Sequence, residues 1–383
     1  MLKKQTNLFV LIAILIGIVI GILLWDAFTP KLERGVFYYQ IDGNKAKLFL
    51  INGEVKEIVS LPAREVDLGK YKPPRHSYFS NNSQQMIYFK KTGEEPLESL
   101  DENIVIARVI TEPTLVNLKT GKERKIDQLI DSSGVVFSPN DEKIAWLKEV
   151  PESTYGEIET SGKKRELWVS RADGENSELL GEFDENVVLL RRWYSDYIYF
   201  QGLWDANIRS LGRISVKTGK IEYLVPRYCE QYLENCKEIL FSLTGRKMIY
   251  EIYSNEEKEI TELYLGDFDK REFLEILTTD RISDRVWLNN EKEFLYTEQE
   301  MIKKEGMKES IHLVDVKSKT DDVVYAGSYI SQLVVGPNDR YLYFLEKEKD
   351  GENFNLMKLN IKSGKAEVIL TEDYNHILLK IGS

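Results

Sequence analysis

The chain has 383 residues, 42% hydrophobic and 30% charged, the balance of a packed protein rather than a disordered one. Lys plus Arg total 52 and Asp plus Glu 63, a net charge of −11 with both signs interspersed. That excludes the basic face on which nucleic-acid binders rely, and reads as a solvated surface.

Residues 1–7 carry Lys3 and Lys4 and no acid. Leu8–Trp25 then runs 18 residues without a charge, and 14 of them are Leu, Ile, Val or Phe. As a helix this spans about 27 Å, close to a hydrocarbon core. The summed insertion preference is on the order of several kcal/mol. Trp25 stands where an interfacial aromatic belongs, and Asp26 and Pro30 end the run. A cleaved signal peptide would have a shorter apolar region and a small-x-small site, which Trp25–Pro30 does not offer. The expectation is a cytoplasmic stub at 1–7, a single-pass transmembrane signal anchor at 8–25 and a linker at 26–34. Everything from residue 35 onward would then lie on the extracytoplasmic side of the cell membrane.

Three strand patterns follow in Gly35–Val59: GVFYYQIDG, AKLFLIN and EVKEIVS. From there one pattern recurs. Its clearest copy is Val135–Glu149, a strand, a tight turn at Ser138-Pro139-Asn140-Asp141 and a second strand holding Ile144, Trp146 and the stem of Lys148. Pro presets φ in that turn, while Asn and Asp bond their own backbone. Related copies begin at Phe79, Trp193, Phe241, Trp287 and Val335, at spacings of 46 to 58 residues. A β-patterned period of this length means a propeller or a stacked array. Each full copy has four strand candidates, in the clearest one Gly134–Ser138, Lys143–Lys148, Glu166–Arg171 and Ser177–Leu180. Asp173-Gly174 joins the third to the fourth there. Lys119–Lys122, Lys217–Lys220 and Lys362–Lys365 do the same elsewhere, with Gly supplying the positive φ.

The two ends complete one another. The strands of 35–59 match strands two, three and four of a repeat, with no first strand before them. Tyr374–Ile381 lies where another first strand is due. The expected fold is therefore all-β. A β-propeller of seven four-stranded blades spans 35–383, closed by strand 374–381 pairing with 35–59 and preceded by one transmembrane helix. Closure removes sticky sheet edges. A six-bladed ring with an accessory hairpin at Gly35–Val59 is the alternative.

The copy F-S-P-N-D-E-K-I-A-W, with L-W-V-S-R-A-D-G and L-V-N-L-K-T-G-K beside it, resembles the WD40-like repeat of the TolB-type β-propellers. The resemblance covers about Val36 to Ile381. It implies a protein-interaction scaffold of the cell envelope; related propellers also serve as gating or substrate-selecting domains of peptidases. An apolar span in place of an amino-terminal globular domain departs from TolB itself. The Gly-His and Trp-Asp signatures of eukaryotic WD40 repeats are missing, and Trp204-Asp205 is expected in a loop.

No catalytic pattern is present in the sequence: no G-x-S-x-G elbow, no H-E-x-x-H, no phosphate-binding glycine loop and no D-x-D-x-D-G loop. No catalytic residue, cofactor or metal is assigned. Of the three His, His312 and His376 fall in strand patterns and read as structural, and His76 falls in a loop. Cys229 and Cys236 are too few for zinc without a neighbouring His. In an oxidising compartment they can close a small disulfide loop worth about 2 kcal/mol. On one straight helix they would stand about 10 Å apart and could not bridge.

The functional asymmetry is in loop length. Connections from strand two to three and from four to one share one face of a propeller, and the expected long insertions all fall there: Lys90–Asn103, Glu149–Arg165, Gln201–Ser210, Ser254–Ile260, Glu298–Ser310, Glu346–Asn353, Ser60–Ser77 and Pro226–Lys237. Long loops on a rigid scaffold carry recognition. Tyr71, Arg75, His76, Tyr155, Trp204, Arg209, Tyr228 and Tyr232 are the hot-spot types on that face, and each also reads as an ordinary blade cap or surface aromatic. The expected function is a non-catalytic, membrane-tethered extracytoplasmic scaffold that recognises a protein or a cell-envelope ligand, with no nucleic acid. The alternatives are a funnel-sited lyase or hydrolase acting on a glycan or peptide, and a polysaccharide or small-ligand binding module.

Overall fold

A computed structural model of the chain describes residues 36–42, 45–52, 54–62, 64–67, 70–72, 77–97, 106–126, 134–149, 165–183, 187–204, 207–223, 236–255, 260–270, 272–279, 281–302, 306–348, 353–372 and 377–379. The apolar run at 8–25 and the segments flanking it lie outside the described residues. Within them no helix is long and apolar enough to cross a membrane.

The fold is a β-propeller of seven four-stranded antiparallel blades. Blade 1 comprises Ser77–Phe79, Gln85–Leu97, Ile106–Asn117 and Glu123–Lys125. Blade 2 follows with Val135–Phe137, Lys143–Glu149, Arg165–Arg171 and Glu178–Phe183, and blade 3 with Val187–Tyr194, Tyr197–Trp204, Asn207–Ser215 and Ile221–Tyr223. Blade 4 holds Cys236–Phe241, Lys247–Asn255, Ile260–Asp267 and Glu272–Thr279. Blade 5 holds Ile282–Trp287, Glu293–Ile302, Gly306–Asp315 and Asp321–Gly327. Blade 6 holds Ile330–Val335, Tyr341–Lys347, Phe354–Asn360 and Lys365–Glu372.

Blade 7 is composite, as the two chain ends require. Its order is Glu54–Pro62, Lys45–Asn52, Val36–Asp42, then Ile377–Leu379. The last strand pairs Phe37 with Leu379 and Tyr39 with Ile377. Stacking of Phe37 on Phe79 at 5.0 Å and a bond between the Tyr39 and Ser77 hydroxyls at 3.0 Å join blade 7 to blade 1. The six-bladed alternative is thereby excluded. His376 lies outside the described residues, one position before the closing strand.

The second strand of each blade packs against neighbours on both sides, so its residues are buried consecutively rather than alternately. Met86–Phe89, Ile144–Leu147 and Leu342–Leu345 are all buried. In blade 2, Ile144 and Trp146 face blade 1, while Ala145 and Leu147 face blade 3.

The repeated turn does more than reverse the chain. Its fourth residue stands in the left-handed region in Ser83, Asp141, Gly245, Glu291 and Asp339, with φ between 54° and 68°. Ser138 closes its own turn by accepting from the Lys143 N–H at 2.9 Å. Asp141 was expected to bond its own backbone and instead reaches the preceding blade. Its carboxylate accepts from the backbone and side-chain N–H of Asn81, at 2.7 Å each, and from the Asn82 N–H at 2.9 Å. Asp339 repeats this on Asn289 and Asn290 at the same distances, and Glu291 accepts from the backbone N–H and hydroxyl of Thr244. A carboxylate accepting several N–H groups makes charge-assisted bonds, stronger than neutral ones. These are latches between blades. Blade 3 has only the two-residue turn Ser195–Asp196, and the latch residue of blade 4 is Gly245. A Cβ there would stand 2.8 Å from Cδ2 of Tyr199, whose ring occupies the latch's place.

Outer strands share a second device. A register shift recurs in the pairing of the third and fourth strands of blades 2, 4, 5, 6 and 7, and it leaves Leu180, Ile276, Val324, Ile369 and Ile58 as the extra residues. The first four of these pack into the apolar cluster shared with the next blade. A bulge re-aims a side chain and adds twist.

Candidate interaction face

Three of the connections expected as long loops carry strand pairing among the described residues. In Gln201–Ser210 the strands pair out to Trp204 opposite Asn207, with Arg209 the extra residue at a register shift. Glu298–Ser310 likewise pairs out to Ile302 opposite Gly306. In blade 1 the ladder runs from Gln85–Asn117 to Leu97–Ile106. The first strand of that blade opposes only Met86–Tyr88, and the fourth only Thr114–Val116. Beyond Phe89 the second and third strands continue as a two-stranded ribbon, about 25 Å long, whose edges pair with no further strand among the described residues. Regular strand pairing was missed because these segments carry no Asn-Gly or Asp-Gly turn signal and many charges.

Tyr71 lies in a small extra hairpin, Arg64–Asp67 with Lys70–Lys72, inside the connector read as a loop. Trp204 ends the second strand of blade 3 instead of lying in a loop, and Arg209 lies in the third strand. Cys236 begins the first strand of blade 4. Arg75, His76, Tyr155, Tyr228, Tyr232 and Cys229 lie outside the described residues. Topology places the second-to-third hairpins and the fourth-to-first connectors on one face.

The polar groups that sequence reasoning missed gather between blades 4 and 5. Glu251 and Arg285 form an ion pair across that junction, 3% and 6% exposed. Asp284 accepts from its neighbour Arg285 N–H at 2.8 Å and from the Leu333 N–H of blade 6 at 2.7 Å. Farther out, the His312 ring stacks on Tyr296 at 4.7 Å. Its Nδ1 faces Asp321 at 3.0 Å, and its Nε2 faces the Ser310 hydroxyl at 3.0 Å and Glu298 at 3.3 Å. Tyr296 donates to the other Asp321 oxygen at 2.9 Å, and Thr279 of blade 4 donates to Glu298. Burial holds the Tyr296 phenol well above its ordinary range.

Ser310, His312 and Asp321 have the spacings of an acyl-transfer triad. The surroundings argue otherwise. A second carboxylate, Glu298, crowds the nitrogen that would have to take the serine proton. The cluster ties blade 5 to Thr279 of blade 4. One junction further on, Glu309 is 1% exposed and accepts from Gln299 at 2.6 Å and from the Ile330 N–H of blade 6. Burial pushes its carboxyl above the usual range despite those bonds. The signal available in sequence was a charge inside an apolar strand, as Glu251 stands in M-I-Y-E-I-Y. No group of three or more His, Cys, Asp or Glu suited to a metal ion occurs among the described residues.

No family model matches this chain, and no curated protein matches it by sequence. Likeness is found among solved structures. An oligogalacturonate lyase from Vibrio parahaemolyticus superposes with a TM-score of 0.54 at 12% identity, over 84% of this chain and 90% of that one. A prolyl endopeptidase superposes with a TM-score of 0.59 at 13% identity, over 91% of this chain but 50% of that one. TolB from Acinetobacter baumannii superposes at 0.43, with 10% identity over 90% of this chain and 81% of that one. At these identities the likeness shows the propeller fold and nothing finer.

Proposed function

We propose that the chain is a non-catalytic recognition scaffold of the cell envelope, tethered by residues 8–25 and presenting its hairpin face to a protein or envelope ligand on the extracytoplasmic side. The observation that supports this reading is the blade 1 ribbon. It leaves a latched, closed ring and carries two strand edges that, beyond Phe89, pair with no further strand among the described residues. Such edges are templates for an added strand from a partner. Trp204 and Arg209, in the hairpin of blade 3, two blades along on the same face, supply the hot-spot types.

The test is capture of partners by cross-linking in intact cells, with the full chain as bait. One variant replaces residues 91–111 by Asn-Gly, which joins the facing residues Lys90 and Glu112 through a favoured two-residue turn. A second carries Trp204→Ala and Arg209→Ala. Each should lower recovery of the wild-type partner by roughly tenfold or more, as for loss of a hot spot, with an unchanged melting temperature. Recovery equal to wild type in both variants would remove the hairpin face from the account.

A further inference from the structure

We propose that the outer edge of the blade 1 ribbon, residues 108–112, docks on the same edge of a second copy of this chain, antiparallel about Ile110. The proposal rests on the reading of the ribbon edges as templates for an added strand, and names what one of them takes.

The backbone decides which residues can bond outward. The Pro113 carbonyl accepts from the Ile126 N–H, and the Asn117 N–H donates to the Lys122 carbonyl, both toward the fourth strand of the blade. The third strand carries no extra residue of its own, because the shift in its pairing falls at Thr92 of the second. Alternation then turns the N–H and C=O of Thr111, Val109 and Ala107 to that same side. Among the described residues the fourth strand stops opposite Pro113, and it is the outermost strand of its blade. A second chain therefore meets this edge from outside the ring.

Side-chain type selects the occupant and the register. Only registers that set outward-bonding residues opposite one another can form. Pairing about Ile110 sets Val109 opposite Thr111 and Arg108 opposite Glu112, each twice by symmetry, with Ile110 opposite itself. β-branched pairs and opposite charges are favourable across strands, and like charges are not. The register about Val109 sets Arg108 against Ile110 and Glu112 against Ile106, so each charge faces an aliphatic residue instead of its counterpart. The register about Thr111 brings Val109 onto Pro113, whose carbonyl is already taken by Ile126. Natural edges are guarded by charges that deter pairing; here R-V-I-T-E is its own complement. Within one chain Glu112 also meets Lys125 at 3.2 Å, a surface contact that contributes little. The ladder is about 17 Å long, far smaller than a standard interface, so the two copies associate and part with concentration.

The experiment uses the full chain in detergent. In a background of Cys229→Ser and Cys236→Ser, Ile110→Cys would stand about 4.5 Å from its counterpart between Cα atoms, within disulfide reach. Under mild oxidation it should give covalent dimers roughly tenfold faster than Glu94→Cys, which lies opposite Val109 on the other strand of the ribbon. With the native cysteines kept and reduced, sedimentation should show Arg108→Glu and Glu112→Arg each weakening self-association by roughly tenfold. An equimolar mixture of these two variants should recover it, because every facing charge pair is then again of opposite sign. A chain carrying both substitutions should also associate as wild type does. Equal dimer yields from Ile110→Cys and Glu94→Cys, or a mixture that stays as dissociated as its components, would overturn the proposal. A monomeric chain whose partner recovery still depends on residues 91–111 removes the second copy alone. Charge-dependent self-association, with recovery indifferent to residues 91–111, keeps the second copy and removes the foreign partner from the ribbon.

Discussion

The junction between blades 2 and 3 and the junction between blades 4 and 5 join the same repeat by different chemistry. The first has an apolar centre, with Leu147, Leu167, Phe183, Val188, Phe200 and Ile214 in one cluster and Phe183 tilted on Phe200 at 4.7 Å. Its turns make no carboxylate latch among the described residues. The second keeps an apolar centre around Ile249, Trp287 and Phe294. To that it adds the Glu291 latch, the Glu251–Arg285 pair and the Tyr296–His312–Asp321 cluster. An apolar junction tolerates any close-packed arrangement of the right volume. A buried ion pair does not, because each charge requires its partner in place. The polar junction thus adds directional demands at the cost of dependence on ionisation.

The largest way to break this contrast is Arg285→Ala. It leaves Glu251 charged and buried, and should cost about 3–5 kcal/mol, read from the urea midpoint. Glu251→Leu combined with Arg285→Met should recover most of that loss, because the junction then resembles the one between blades 2 and 3. A double variant as unstable as Arg285→Ala would show that the pair is not what distinguishes the two junctions.

A smaller effect is expected at the latch. Glu291→Ala removes the acceptor for both Thr244 groups and places a Cβ-bearing residue without a partner at φ 54°. It should cost about 1–2 kcal/mol. Glu291→Gly should cost less, since glycine adopts positive φ freely. Equal losses in the two variants would assign the whole effect to the lost bonds.

The smallest effect extends the polar chemistry to blades 5 and 6. Burial raises the Glu309 carboxyl, so the folded chain holds that proton more tightly than the unfolded chain. Its favourable contribution is complete below the ordinary carboxyl value, about 4.3, and is lost as pH rises through the raised folded value. Glu309→Gln should flatten this part of the stability curve in urea titrations at stepped pH. A wild-type curve parallel to that of the variant across this range would rule out Glu309 as the source.

Much of the ring was legible along the chain. The strand–turn–strand copies, the glycine turns at Gly121, Gly219 and Gly364 and the unmatched first strand at the carboxyl end are local patterns. They sufficed for seven blades. The latches were not legible, because Asp141 and its partner Asn81 stand 60 positions apart and either alone reads as a turn former. The outer bulges were hidden as well. Leu180, Ile276, Val324 and Ile369 each look like one more β-branched or aliphatic strand residue, and only packing against the next blade decides which is extra. The hairpins of blades 1, 3 and 5 read as loops because strand pairing there depends on a partner strand more than on composition.

What the sequence determined by itself was the number and order of the blades, since hydrophobic period and turn residues act within a few positions. The tertiary structure alone decided how the blades hold one another: which carboxylate crosses to which neighbour, where the register slips, and on which face the two ends of the ring meet. These depend on distances between residues tens of positions apart, and closure of the ring is what sets those distances.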